Sequence, residues 1–70
     1  MTGDEFIRKL KKLGYNRGKP VKLVYRRGKG SHATLFYGNS FTIIPDTKHE
    51  LKTGTLHAML KSLVLNRDDL

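Results

Sequence analysis

The sequence predicts an α+β fold with the element order αβββα, in which a three-stranded antiparallel sheet carries two helices on one face. Three observations support this prediction. An amphipathic segment with a helix-capping pattern opens the chain, short apolar runs separated by Gly and Pro follow, and a second amphipathic segment lies near the end. A chain of 70 residues has room for one domain, over 1–70.

The first helix is predicted over residues 3–13. Thr2 and Glu5 have the spacing of a capping box, in which each side chain satisfies a free amide of the first turn. Gly14 is expected to end the helix, because glycine adopts the left-handed conformation at little cost. The apolar face consists of Phe6, Ile7, Leu10 and Leu13. The basic face consists of Arg8, Lys9, Lys11 and Lys12, and it is expected to be a solvated surface, with direct contact to nucleic acid or a protein partner as the alternative.

Three strands are predicted, over residues 21–26, 31–37 and 41–44. Gly28-Lys29-Gly30 forms a turn between the first two strands. Gly38-Asn39, between the second and third, is a two-residue pair suited to a tight hairpin. Pro45 ends the third strand, because proline cannot donate a hydrogen bond to the sheet.

The turn at Gly38-Asn39 decides which strand residues face the core. A two-residue turn pairs Phe36 with Phe41 and Leu35 with Thr42, and a three-residue turn would exchange the faces of the third strand. In the preferred two-residue register one face carries residues 32, 34, 36, 41 and 43, and the other carries 33, 35, 37, 42 and 44. Both faces are partly apolar, so Phe36 or Phe41 is expected to be partly exposed and to indicate a protein partner.

The second helix follows a loop over 46–52. Thr53 or Thr55 is the predicted N-cap, and residues 66–70 are expected to form a frayed acidic tail. A stripe at helical spacing, expected in the core, consists of Leu56, Met59, Leu60, Leu63 and Val64. The resulting element order is also that of a double-stranded-RNA-binding domain.

The charge is large and unevenly distributed. Fourteen Lys and Arg against six Asp and Glu give a net charge of +8. All of it lies in residues 1–38, because residues 39–70 carry four basic and four acidic groups. This asymmetry predicts a polyanionic partner, with nucleic acid first and an acidic protein second.

Several classes of protein are excluded by what the sequence lacks. Without Cys there is no disulfide framework, thiolate zinc site or cysteine nucleophile. The start of the chain has no signal-peptide pattern, and no apolar run approaches the roughly 20 residues that span a bilayer. We therefore expect a cytoplasmic protein with no membrane partner and no cofactor.

Three histidines are the candidates for chemistry. His32, His49 and His57 lack the i, i+4 spacing of a helical zinc site, so no metal centre is expected. His49 and His57 are expected at the surface. His32 opens the second strand after the cationic segment Arg26-Arg27-Gly28-Lys29-Gly30-Ser31.

This setting suits cleavage of RNA. An imidazole titrates near neutral pH and serves as general base or acid, and RNA supplies its own nucleophile, the 2′-hydroxyl. Arg26, Arg27 and Lys29 would bind phosphate and stabilise its charge. Gly30 would let a phosphate approach the backbone amides, and Ser31 would hydrogen-bond phosphate or fix the turn.

Asp46 offers a further hypothesis. The two-residue register places His32 opposite Pro45, so Asp46 could orient the His32 imidazole. A Ser–His–Asp triad is not favoured, since Ser31 and His32 are adjacent only in sequence.

At the segment Gly30-Ser31-His32, which opens a strand, the chain resembles the HicA family. The members of this family are the mRNA interferase toxins of HicA–HicB toxin–antitoxin pairs. The resemblance extends to the capped first helix with Gly14-Tyr15, to Pro45 after a short strand, and to Leu51-Lys52-Thr53-Gly54-Thr55-Leu56 at the start of the last helix. It covers about residues 2–65. Many relatives place a His soon after the proline, whereas Asp46-Thr47-Lys48 follow it here.

The resemblance implies a double-stranded-RNA-binding-like fold, metal-independent cleavage of mRNA, a catalytic His32 and neutralisation by a HicB-type antitoxin. The leading hypothesis is thus a cytoplasmic toxin that cleaves RNA. A non-catalytic basic RNA-binding module of the same topology is the alternative, and an adaptor that binds only an acidic protein is the third possibility.

Overall fold

A computed structural model describes residues 1–25 and 32–70 of the chain. The order of elements is the predicted αβββα, followed by one short 3₁₀ helix. The elements are α1 (Gly3–Arg17), β1 (Val21–Tyr25), β2 (Ala33–Tyr37), β3 (Ser40–Ile44), α2 (Thr53–Ser62) and the 3₁₀ helix (Arg67–Asp69). Within the described ranges no helix combines the length and the apolar composition needed to cross a bilayer.

The sheet has the strand order β1-β2-β3, with antiparallel neighbours. Leu35 pairs with Thr42 and Phe36 with Phe41, which confirms the two-residue register. Gly38 takes a φ of 59° at the first loop position, where a type II′ turn requires a positive value. The hairpin therefore fixes which residues of β3 face the helices.

The core lies between the sheet and the two helices. The sheet contributes the predicted inner face, which consists of Ala33, Leu35, Tyr37, Thr42 and Ile44. The helices contribute Phe6, Ile7 and Leu10 from α1, with Met59 and Leu60 from α2 and Leu63 just after it. The outer face, with Phe36, Phe41 and Ile43, has no layer of the described chain over it and is exposed.

Helix α1 begins as predicted and ends later than predicted. Thr2 and Glu5 form the capping box, and the hydrogen bond from the Thr2 backbone N–H lowers the pKa of the Glu5 carboxyl. The helix continues through Gly14 to Arg17, and Gly18 ends it with a φ of 68°. Gly14 is needed for a different reason: a β-carbon there would clash with the Val21 side chain and lie 2.8 Å from the Lys19 carbonyl oxygen. The prediction that Gly14 ends the helix is therefore wrong.

Helix α2 departs from the prediction at both ends. Lys52 occupies the N-cap and makes no side-chain capping hydrogen bond, so neither Thr53 nor Thr55 is the N-cap. Val64, expected on the buried stripe, is 83% exposed and has a φ of 58°. The helix has already ended there, and the Leu65 N–H donates to the Leu60 carbonyl at 2.9 Å, which closes a left-handed terminating turn. Leu65 enters the core in place of Val64.

Residues 66–70 do not form the frayed tail that the sequence suggested. Asn66 caps the 3₁₀ helix, and the Asp69 carboxylate accepts a hydrogen bond from the Arg17 guanidinium at 2.8 Å. Hydrogen bonding by the Asn66 backbone N–H, and then by Arg17, lowers the pKa of the Asp69 carboxyl. Leu70 packs against the edge of the core. The end of the chain is thus held against α1.

Val64→Gly is expected to raise the free energy of unfolding by about 1 kcal/mol, because a β-branched residue pays a steric cost at positive φ that glycine does not. The exposed Val64 side chain loses little packing on removal. Lys61→Gly, at an exposed position inside α2, is the matched control and should destabilise by about 1 kcal/mol. Urea unfolding measures both changes, and a less stable Val64→Gly protein would show that Val64 is not strained.

Candidate active site

His32 lies immediately before β2, with its side chain exposed. The alternation of β2 assigns it to the outer-face positions, two residues before Thr34 and four before Phe36. The predicted position of His32 at the opening of the second strand is therefore observed. An exposed imidazole next to the end of a strand is accessible to a large substrate.

A shallow open groove begins at His32. It runs along the free edge of β3 and is closed on its other side by α2. Its lining residues are His32, Asn39, Ser40, Phe41, Thr42, Ile43, Pro45, Thr55, Ala58, Met59 and Ser62. No pattern in the sequence indicated that α2 would contribute to this groove, because the contact joins segments distant in the chain.

The free edge of β3 gives the groove hydrogen-bonding capacity. Ser40 pairs with Tyr37 across the two-residue turn, so Ser40, Thr42 and Ile44 direct their backbone groups toward β2. The backbone N–H and C=O groups of Phe41 and Ile43 consequently point away from the sheet. A ligand in the groove thus meets polar backbone groups as well as apolar side chains.

The other five predicted site residues lie outside the described residues. They are Arg26, Arg27, Lys29, Gly30 and Ser31. They are known to be close to His32 only along the sequence.

The loop after β3 contains a pair of polar side chains. The Asp46 carboxylate accepts hydrogen bonds from the backbone N–H of Lys48 at 2.9 Å and of His49 at 3.2 Å, and His49 Nδ1 lies 2.6 Å from its second oxygen. These contacts, the Lys48 amide foremost, lower the pKa of the Asp46 carboxyl. The contacts found for Asp46 are thus with its own loop, and the hypothesis that it orients His32 gains no support from them. The exposed His49 is at the surface, as predicted.

The start of α1 holds this loop in place. The Asp4 N–H donates to the Thr47 carbonyl at 2.8 Å, and the Leu51 N–H donates to the Met1 carbonyl at 2.8 Å. Gly3 packs directly on the backbone of Asp46 and Thr47. The segment between β3 and α2 is therefore fixed at both ends, and so is the end of the groove near Pro45.

A comparison with models of known protein families identifies the family of the chain. A family model described as "HicA toxin of bacterial toxin-antitoxin" matches residues 3–65, nearly the whole chain. The chain belongs to the HicA toxin family. Neither the curated proteins nor the solved structures include a significant match to it.

Membership of the HicA toxin family places the protein in a toxin–antitoxin system, which implies an antitoxin partner. It confirms the resemblance that Gly30-Ser31-His32 and the Lys-Thr-Gly-Thr-Leu segment indicated. The matched range begins at the capped first helix and ends just after α2, so all the elements that form the core belong to the family domain.

The charge of this HicA-family toxin is divided between two surfaces. Arg8, Lys9, Lys11 and Lys12 are exposed on α1, as predicted, and so belong to the helical layer. On the outer face of the sheet the described cation is Lys22, which pairs with Phe36 in the register. Part of the basic charge therefore lies in a different layer from the outer face that carries His32.

Among the residues that the structure describes, no three His, Asp or Glu side chains form a group that could hold a metal ion. His57, the third histidine, is exposed on α2, in agreement with its predicted surface position. It borders a separate depression with Lys61 and Val64. Neither His49 nor His57 lines the groove at His32.

Proposed function

We propose that this toxin is a metal-independent endoribonuclease that cleaves mRNA, with His32 as general acid or base. The observation that carries the proposal is the exposed His32, which lines an open groove, in a chain of the HicA toxin family. The groove is shallow and open, as access by a polymer requires.

The proposed reaction uses the RNA's own 2′-hydroxyl. A base removes the proton from that hydroxyl, the 2′-oxygen attacks the adjacent phosphorus, and the bond from phosphorus to the 5′-oxygen breaks. The leaving 5′-oxygen takes up a proton, so one product ends in a 2′,3′-cyclic phosphate and the other in a 5′-hydroxyl. An imidazole near neutral pH can perform either proton transfer.

Charge on the phosphate must be stabilised while this occurs. Arg26, Arg27 and Lys29 are the cations nearest to His32 in sequence, and we assign them to phosphate binding and charge stabilisation. Gly30 and Ser31 are assigned to the backbone approach and to a hydrogen bond with the phosphate. The net charge of +8 favours the association of the whole domain with RNA.

The antitoxin partner is proposed to be of the HicB type, and the toxin is proposed to act in the cytoplasm. Family membership supports a protein antitoxin, and the exposed apolar face of the sheet supports a protein partner of some kind. Binding over the groove would block access to His32.

A non-catalytic RNA-binding module is the second candidate, favoured by the basic charge alone. Purified protein incubated with a single-stranded RNA in EDTA separates the candidates. The endoribonuclease shortens the RNA over time, whereas the binding module retains it at full length with an affinity that falls steeply with salt. Absence of both cleavage and binding would leave the adaptor that recognises only an acidic protein.

A further inference from the structure

The outer face of the sheet exposes two aromatic rings on neighbouring strands. Phe36 on β2 and Phe41 on β3 are paired in the register, and their side chains are 37% and 55% exposed. Their ring centroids lie 6.0 Å apart at an interplanar angle of 38°. Both helices pack on the opposite face, so the described chain leaves these rings open to solvent.

The aromatic pair is aligned with His32 along the sheet. His32 and Phe36 are four residues apart at the same alternating positions, which corresponds to about 13 Å along a strand. One row of the sheet separates them, formed by Val24, Thr34 and Ile43. A few nucleotides of extended RNA can span this distance.

A cation completes the row of the two rings. Lys22 pairs with Phe36, so Lys22, Phe36 and Phe41 lie side by side across the three strands. Lys22 is exposed and available to a phosphate. Rings on adjacent strands beside a cation are the features with which sheet surfaces bind single-stranded RNA, since bases stack on the rings and the backbone meets the charge.

We propose that Phe36 and Phe41 form a stacking platform for unpaired bases of the RNA that is cleaved at His32. The cleavage part rests on the proposed function, whereas the binding part stands on the geometry of the outer face. The platform favours single strands, because the bases of a duplex are already stacked on each other. It would hold the strand so that a phosphate a few nucleotides away reaches His32.

The test measures binding without cleavage. A fluorescent 2′-O-methyl oligonucleotide of about 12 nucleotides, in the size range of single-strand binding sites, lacks the nucleophile and stays intact whatever His32 does. Phe36→Leu and Phe41→Leu keep apolar bulk but remove the ring. Each substitution should weaken binding of the oligonucleotide roughly tenfold, as measured by fluorescence anisotropy. A tenfold loss corresponds to the lower end of the stacking energy per base. Phe41→Tyr, which keeps a ring, should retain wild-type affinity.

Two controls make the result specific. Tyr15→Leu removes an exposed aromatic ring from α1 and should leave affinity unchanged. A 2′-O-methyl duplex of the same sequence should bind wild type and the two leucine variants equally. Thermal melting monitors the fold of each variant, and failure of Phe41→Tyr to match wild type would show that the ring itself is not what binds.

Unchanged affinity of both leucine variants would overturn the platform and leave a protein partner as the remaining candidate for the exposed face. An equal loss in Tyr15→Leu would also overturn it, because the effect would then not belong to this face. If the leucine variants lose affinity but wild type cleaves no RNA, the platform stands and the proposed endoribonuclease fails. The two proposals are thus tested separately.

Discussion

Under the proposed function, His32→Ala is expected to abolish RNA cleavage and growth inhibition, while the protein remains folded. Loss of a general acid or base costs about 10²- to 10⁴-fold in rate. The fold should survive, because the exposed side chain of His32 lies outside the core. The initial rate of shortening of a labelled RNA measures the effect, and expression in cells gives the growth comparison.

His57→Ala is the matched control for this experiment. His57 is also exposed, but it lies on α2 and does not line the groove that starts at His32. Its substitution should leave both cleavage and growth inhibition at wild-type levels. A folded His32→Ala protein that cleaves at the wild-type rate would remove His32 from the reaction.

Gly3→Ala is expected to destabilise the protein strongly, although it adds only one methyl group. A β-carbon on Gly3 would lie 2.5 Å from the Asp46 carbonyl oxygen and 2.5 Å from the Thr47 α-carbon, and these backbone atoms cannot rotate away. Overpacking and strain on the bond from the Asp4 N–H to Thr47 should together lower the free energy of unfolding by about 2–4 kcal/mol. This is a large share of the roughly 5–15 kcal/mol typical of a domain.

Gly54→Ala is the corresponding control. Gly54 lies in α2, and a β-carbon there has nothing within 4 Å. Alanine should be neutral or raise the free energy of unfolding by up to about 1 kcal/mol, because glycine is a poor helix former. Urea unfolding measures both variants. Equal stability of Gly3→Ala and wild type would contradict the close packing of α1 on the loop after β3.

Local patterns predicted the fold where local chemistry decides it. The Thr2–Glu5 capping box and the two-residue Gly38-Asn39 hairpin each act over a few residues, so their residue types suffice to define a helix start and a strand register. The correct register in turn assigned Phe36 and Phe41 to the exposed face.

The errors arose where distant segments decide the structure. Glycine commonly ends helices, but Gly14 lies within α1, where the absence of a side chain allows close contact with Val21. Val64 continues the helical spacing of α2, yet the helix has ended and Leu65 takes the core position. The ion pair between Arg17 and Asp69 joins residues 52 positions apart, and no local pattern reveals it.

For the same reason, the sequence predicted only part of the candidate site. His32 could be selected from its position after a cationic, glycine-bearing segment. Its groove could not, because α2 returns to β3 only in the folded chain. The Asp46–His49 contact had a local signal, an Asp-x-x-His spacing in a loop, whereas the sequence-based hypothesis paired Asp46 with His32.

Cleavage of one RNA sequence prepared in two forms tests the proposed chemistry most directly. One form carries the normal ribose throughout, and the other carries a 2′-deoxyribose at each position that the toxin cuts. Wild-type protein in EDTA should shorten the first form, yield 2′,3′-cyclic phosphate ends and leave the second form intact. Equal cleavage of both forms, or shortening of neither, would contradict a ribonuclease that acts through the 2′-hydroxyl of its substrate.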